Sequence, residues 1–342
     1  GFIGTVLVQK LAAKGVRVRV FDKTKPHSGI QNVEYQQGNI LDKQALKRAM
    51  DGCDILYHLA AHLPIANDKS NTLSEALYEV NVSGTKCILE VVKETSIKKI
   101  VYASSTAVYG IPSRNPISDD TPIQPLEAYG VSKAIAEEAC EECARLGYDV
   151  IIIRPCPVVG PTRLGVFQIL FEWIYRGWNI PILGSGENIL QFIHVEDCSN
   201  AIAAAGGLPY KPNRLSAVNI GANDLVPLRQ GLEKLIQQVG SESKVRSLPK
   251  APIIMAVKLA SKTRLLPLSP FHALIYGESV YCSNESAQSV LTWEPLYSYS
   301  KILETAYEWY CRNRTQVLAG QSGSVHQRAP KQGLLSLVRL LP

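Results

Sequence analysis

Along residues 1–160, short apolar runs rich in Val and Ile alternate with amphipathic stretches. "VRVRVFD" (16–22), "VEYQQGN" (33–39), "CDILYHLA" (53–60), "KKIVYASS" (98–105) and "YDVIIIRP" (148–155) read as strands. Between them "TVLVQKLAAKG", "KQALKRAMDG", "EALYEVNVSGTKCILEVVKETS" and "AYGVSKAIAEEACEECARLG" read as helices. Strands that alternate with helices are joined by right-handed crossovers, so the pattern predicts an α/β fold: a parallel sheet, doubly wound, with helices on both faces. After Pro161 the alternation loosens, prolines accumulate and helical segments dominate. The expected organisation is a first domain over 1–160, a smaller, mostly helical second domain over 161–314, and a flexible tail over 315–342. "LQFIHVEDCSNAI" (190–202) and "AVNIGA" (217–222) read as strands near 190–196 and 217–221 that return to the first sheet, which makes the second domain discontinuous.

The opening "GFIG" gives this sheet a candidate ligand. A dinucleotide pyrophosphate sits best at a helix N-terminus, where unpaired N–H groups and the positive dipole end face it and glycines allow close approach. Gly1 and Gly4, followed at once by a helix, fit the last two glycines of such a Rossmann-type loop. Asp22 closes the next strand eighteen residues after Gly4, where an acid accepts ribose hydroxyls. An acid there repels a 2′-phosphate, which favours NAD over NADP, although Lys23 and Lys25 soften that preference.

A second spacing carries chemistry. "YGVSK" puts Tyr129 and Lys133 four residues apart on one helix face. An isolated tyrosine, with a pKa near ~10, is a poor base at neutral pH, and a cation beside it favours the phenolate. "YASSTAVYG" follows a Val-rich strand at the sheet's carboxyl end, where ligands bind in such folds. A serine there can hydrogen-bond a substrate oxygen. "YSYSK" repeats the spacing at Tyr297 and Lys301 but reads as structural, since no nucleotide-site segment precedes it.

Composition narrows the class. With 46% hydrophobic and 19% charged residues in 342, the chain is an ordinary globular protein, and no run reaches the ~18–20 apolar residues of a membrane span. Eight scattered cysteines fit reduced thiols in a cytoplasmic protein. Cys140 and Cys143 form a C-x-x-C inside a helical run without a second pair at zinc spacing, so no metal site is expected. The net charge is +6; Lys244 to Arg264 holds six basic residues and no acid, interleaved with apolar ones, and the tail after Arg314 holds three more. A solvated face plus a disordered tail is the plainer reading, a peripheral membrane contact or an anionic-substrate patch the sharper one. No motif supports nucleic-acid binding.

In order along residues 1–312, "GFIG", "FD", "GNILD", "HLAA", "NVSGT", "YASSTAVYG", "YGVSK", "RPCPVVGP", "FIHVED" and "SAQSVLTWEP" resemble the extended short-chain dehydrogenase/reductases, the NAD-dependent epimerase/dehydratase family. The resemblance implies Tyr129 as catalytic acid/base, Lys133 as its partner and nicotinamide-ribose ligand, and Ser105 as the third catalytic group, with Thr106 as its alternative. It implies cofactor contacts from Gly1, Phe2, Ile3, Gly4, Asp22, Asn39, Ile40, Leu59, Ala60, Ala61 and Pro155, with Asn81 bracing the central strands near the site. Asn39 stands where the family usually has Asp. The family's loop follows a central strand and a further glycine; neither is present here, so the expectation is a sheet missing its first strand and a chain missing its start.

The resemblance leaves the substrate open. Nucleotide-sugar members commonly carry an Arg-Asp pair just before the "FIHV" segment; here Leu190 and Gln191 occupy it, and Arg154, Arg163, Arg214 and Arg246 are the remaining candidates for a phosphate contact. A nucleotide-sugar epimerase, dehydratase or reductase is the first reading. A dehydrogenase of a lipophilic, sterol-like or dihydroflavonol-like alcohol is the second, on the apolar, basic segment after Leu248. A catalytically silent NAD-binding scaffold is the third. A homodimer through the helices at 74–95 and 127–146 is implied by the resemblance alone.

Overall fold

The computed structural model describes residues 1–25, 29–63, 72–162, 167–252, 255 and 275–319. The first half of the chain alternates as its pattern predicts: α1 (Phe2–Ala13), β1 (Val18–Asp22), β2 (Val33–Gln37), α2 (Lys43–Met50), β3 (Ile55–His58), α3 (Thr72–Tyr78), α4 (Thr85–Val92), β4 (Lys99–Ala103), α5 (Ala128–Arg145) and β5 (Asp149–Pro155). There follow β6 (Val158–Val159), α6 (Phe167–Tyr175), β7 (Ile180–Leu183), β8 (Ile193–His194), α7 (Val195–Gly207), β9 (Leu215–Ile220), α8 (Leu228–Gln238), β10 (Val245–Leu248), α9 (Glu285–Leu291) and α10 (Tyr299–Leu318).

Every strand pairing is parallel, and the central sheet runs β3–β4–β5–β9. All seven residues of β5 are buried. Val150 and Ile152 pack with α2, α4 and α5 through Leu46, Ile88, Val92, Ala136 and Cys140. Ile151 and Ile153 pack with α1, α7 and α9 through Leu7, Leu11, Ala201, Ile202 and Leu291. A strand covered on both faces has no polar side, which is why "VIII" is a continuous apolar run. The second region has its own core, where Phe171 and Ile174 of α6, Ile180 and Ile182 of β7, Leu232 and Leu235 of α8 and Ile302, Leu303 and Tyr310 of α10 meet.

Two expectations change. The segment 190–202 is mostly helix: only Ile193 and His194 form a strand, paired with β6 outside the central sheet, and α7 begins at Val195. His194 Nδ1 accepts from the Glu196 N–H at 3.2 Å, Glu196 and Asp197 occupy the positive first turn, and Val195, Cys198, Ala201, Ile202 and Ala205 are buried at helical spacing. The segment near 217–221 does join the sheet, as β9 beside β5. The second change is at the C-terminal boundary: α10 continues past residue 314 to Leu318 with Val317 buried, and the tail "GLLSLVRLLP" lies outside the described residues. The parallel sheet is in separate pieces: β1 and β2 form a two-stranded sheet, and β3 begins another.

Candidate active site

The expected cofactor residues lie at the start of α1 and beyond the carboxyl ends of β1, β2 and β3. Gly1 caps α1, and its carbonyl accepts from the N–H and hydroxyl of Thr5, both at 2.9 Å. A Cβ added at Gly1 or Gly4 would meet nothing within 4 Å, so packing within the protein does not require these glycines and the space above the helix N-terminus is open. Phe2 and Ile3 complete that turn, with the Ile3 carbonyl accepting from the Ser199 hydroxyl at 3.4 Å. Asp22 ends β1; its Oδ1 accepts from the N–H and hydroxyl of Thr24 at 2.9 and 3.0 Å, which orients the carboxylate. Asn39 follows β2, and its Oδ1 accepts from the Leu41 N–H at 3.0 Å. Ile40 lies so close to Gly84 that a Cβ there would overlap it. Leu59 packs against the core and Ala60 and Ala61 are exposed beyond β3. An open helix N-terminus, an oriented acid on the neighbouring strand and a small-residue border fit a dinucleotide.

Over β4 the chemistry assembles. Lys133 is buried, and its Nζ donates to the Ala103 carbonyl at 2.7 Å and the Tyr102 hydroxyl at 3.2 Å while sitting 4.7 Å from the centre of the Tyr102 ring. Burial pushes its pKa down to about 8. Tyr129 lies one helical turn before it on α5, close enough to Tyr102 to act on that group's ionisation. His58 donates to or accepts from the Thr85 hydroxyl at 2.8 Å, and burial, reinforced by the Lys133 charge, holds it neutral with a pKa of about 3.

Three adjacent hydroxyls follow β4, and the structure separates them. Ser104 donates to Glu137. Thr106 donates to the Pro155 carbonyl at 3.2 Å. Ser105 instead accepts, from the Ala107 N–H at 3.1 Å, as the cap of the short 3-10 turn Thr106–Tyr109. Among the described residues its hydroxyl donates to no acceptor, unlike that of Thr106. Pro155 closes β5 beside this turn.

Asn81 is the buried centre of a π-helical turn, Glu79–Gly84. Its Oδ1 accepts from the His62 N–H at 2.6 Å, and its Nδ2 donates to the His62 carbonyl and the Ser132 hydroxyl, both at 3.0 Å. Ser132 in turn donates to the Tyr129 carbonyl at 2.7 Å. Asn81 thus braces α5 against the end of β3.

The sequence reading overlooked Tyr102, Ser104, His58 and Glu137. A tyrosine inside "YASS" and an acid one turn beyond Lys133 on the buried face of α5 were the available signals. Of the arginines weighed as phosphate contacts, Arg154 and Arg214 are in structural ion pairs with Glu137 and Asp149, Arg246 is exposed on β10, and Arg163 lies outside the described residues. Gln191 is buried and fully engaged: its Nε2 donates to the Ala222 carbonyl at 2.7 Å, and its Oε1 accepts from the Cys282 N–H at 2.7 Å and the Cys156 thiol at 3.1 Å. Tyr297 stacks on His194 with centroids 3.7 Å apart and Lys301 pairs with Glu304, so the second Tyr-Lys spacing is structural.

The profile of the NAD dependent epimerase/dehydratase family matches residues 1–221. The chain is 38% identical over its whole length to the uncharacterized protein y4nG of Sinorhizobium fredii, covering 85% of that protein. It is 30% identical to a putative UDP-glucose 4-epimerase of Methanocaldococcus jannaschii, with 70% of this chain and 80% of that one covered. It is 27% identical to the mouse sterol-4-alpha-carboxylate 3-dehydrogenase, decarboxylating, with 89% and 87% covered. Among solved structures, the UDP-glucose 4-epimerase of Thermotoga maritima with UDP-glucose superposes with a TM-score of 0.73 at 23% identity, over 92% of this chain and 97% of that one.

Proposed function

The chain belongs to the NAD dependent epimerase/dehydratase family and is an oxidoreductase of that type, and from that premise we propose that it moves a hydride between NAD and a secondary alcohol carbon of a nucleotide sugar. The observation that carries this reading is the Lys133 ammonium, buried and held by Ala103 and Tyr102 one turn from Tyr129, over the strand whose end leads into the turn that Ser105 caps. Tyr129 takes the proton from the substrate hydroxyl as the carbonyl forms and returns it on reduction. Lys133 favours the phenolate that does so, and Ser105 donates a hydrogen bond to the same substrate oxygen. Bound NAD supplies the hydride acceptor. The turn Gly1–Gly4 would receive its pyrophosphate and Asp22 its adenosine ribose, and the Asp22 carboxylate disfavours a 2′-phosphate, so NAD is expected to bind more tightly than NADP.

The nucleotide-sugar reading draws on the 30% identical epimerase relative. One observation favours a lipophilic alcohol instead: Leu190 and Gln191, where nucleotide-sugar members commonly hold a phosphate clamp, are both buried, and Gln191 has its amide engaged within the protein. The sterol dehydrogenase relative points the same way. The test incubates the chain with NAD and either UDP-glucose or a 3β-hydroxysterol. Epimerised sugar without accumulated NADH supports the first reading, and net NADH with the sterol supports the second. Tyr129→Phe should abolish either activity while leaving the fold and NAD binding intact; unchanged turnover in that variant would refute both. A cytoplasmic homodimer is the expected form, with Tyr78 of α3 and Val131 of α5 as exposed apolar residues on the pairing faces. Light scattering of the purified chain checks the dimer.

A further inference from the structure

Arg154 holds two parts of the site with one guanidinium. From β5, its Nε donates to both carboxylate oxygens of Glu137 at 3.0 and 3.2 Å, and its Nη2 donates to Oε2 at 2.6 Å. Its Nη1 donates to the Tyr109 hydroxyl at 2.7 Å. Glu137 lies on α5 one turn beyond Lys133 and also accepts from Ser104. Tyr109 ends the 3-10 turn that Ser105 caps, and donates to Asn219 on β9 at 3.0 Å. Arg154 and Glu137 are 5% and 1% exposed.

Stability alone is a weak reason for such a pair, because desolvation offsets most of the attraction and apolar residues of like shape can fill the same space. Geometry offers a better one. A planar fork can hold a carboxylate and a hydroxyl at fixed mutual angles, which a lysine cannot do.

We propose that the Arg154–Glu137 pair positions the reacting groups, tying the turn that carries Ser105 to the helix that carries Tyr129 and Lys133 and holding a negative charge one turn from Lys133. The inference rests on the hydride-transfer reading above. The groups facing Lys133 are Tyr102 from β4, His58 from β3, and Glu137 and Cys140 from α5, with Tyr129 one helical turn away and facing Tyr102. Burial raises Tyr102 and Cys140 and lowers His58, which leaves all three neutral at pH 7. Glu137 is the carboxylate of the set, paired with Arg154. Without its charge the Lys133 ammonium is disfavoured, Tyr129 gives up its proton at higher pH, and the acid limb of the rate profile moves up.

The test compares the full chain with Glu137→Gln and Tyr109→Phe, using UDP-glucose and NAD as probes across pH. In Glu137→Gln, KM is expected within about twofold of the parent, kcat lower by about tenfold, and the acid limb higher by about one pH unit. Tyr109→Phe leaves the ion pair in place and should lower kcat by about threefold with the limb unmoved. A lower melting temperature with the parent's kcat and pH profile would make the pair merely structural and overturn the proposal. If Glu137→Gln does not fold, Tyr109→Phe decides, and parental kcat in that variant overturns it. A second readout needs no turnover: the phenol of Tyr129 is titrated by ultraviolet difference against Tyr129→Phe. A midpoint that rises in Glu137→Gln supports the proposal; one that is low in the parent and unmoved in the variant defeats it while sparing the hydride-transfer reading. A parental midpoint at or above the ~10 of free tyrosine defeats that reading and the inference with it.

Discussion

Lys133 reaches its place over β4 by giving up water, and the Ala103 carbonyl and Tyr102 replace only part of what it loses. Its lowered pKa of about 8 keeps it cationic at neutral pH, and in the proposed mechanism that cation favours the Tyr129 phenolate. Lys133→Met fills the same buried space without the charge. It should fold, and lose about 10²–10³-fold in turnover at pH 7, a loss that shrinks as rising pH ionises Tyr129 unaided. A pH-independent loss would show that Lys133 acts by packing. His58 carries a separate expectation. Its folded pKa of about 3 lies below the ordinary 6.5, so the folded chain binds fewer protons than the unfolded one between those values. Stability should therefore fall as pH drops from about 6.5 towards 3. His58→Gln should flatten that slope in denaturant titrations, leaving the part due to His194, lowered to about 4, and to Glu172, lowered to about 2. An unchanged slope would mean that His58 does not govern the acid limb.

Helix α5 is the element on which the site depends, and its approach to the Ser105 turn is set at Gly130. A Cβ there would stand 2.5 Å from the Ala107 carbonyl oxygen and 3.1 Å from Pro125 Cβ. Backbone cannot swing aside as a flexible side chain can, so Gly130→Ala should push the first turn of α5 away from the hydroxyl turn. We expect destabilisation of about 1–3 kcal/mol and a larger fractional loss of turnover than of NAD affinity, read by calorimetric melting, ligand titration and rate measurements. Equal losses in all three would place the damage in global folding. The elements themselves were largely legible in the sequence. Strands covered on both faces become β-branched runs, and Tyr129 and Lys133 announce themselves by a four-residue step. What escaped depends on contacts between distant segments. "FIHVED" continues an apolar run, and only the acids after His194 mark the helix start. Ser105 and Thr106 are indistinguishable by type, and what separates them is the Pro155 carbonyl, 49 residues from Thr106. Glu137 and Arg154 lie 17 residues apart on different elements, so no local pattern pairs them.

At the scale of the molecule, the candidate site spans two sheets of unequal strength. β5 is buried throughout, and Ile100, Val101 and Tyr102 of β4 are as well. Every residue of β1 is only half-buried, and β2 exposes Glu34 and Gln37. β1 is tied to its surroundings by Arg19, which pairs with Glu34 at 2.7 Å and donates to the Ala49 and Asp51 carbonyls at 3.0 and 2.6 Å. Exposed pairs of that kind add little stability. Amide exchange should consequently be faster in Val18–Asp22 and Val33–Gln37 than in β4 and β5, because local opening needs less apolar burial to be undone. The proposed cofactor reaches both pieces, with its adenosine end at Asp22 on β1 and its nicotinamide end at Lys133 over β4. NAD should then slow exchange in β1 and β2 more than in β5, which has little left to gain. Mass-spectrometric exchange with and without NAD tests this directly. Protection confined to the segments around β4 and α5 would place the adenosine end away from Asp22, and NAD and NADP would then lose their reason to differ in affinity.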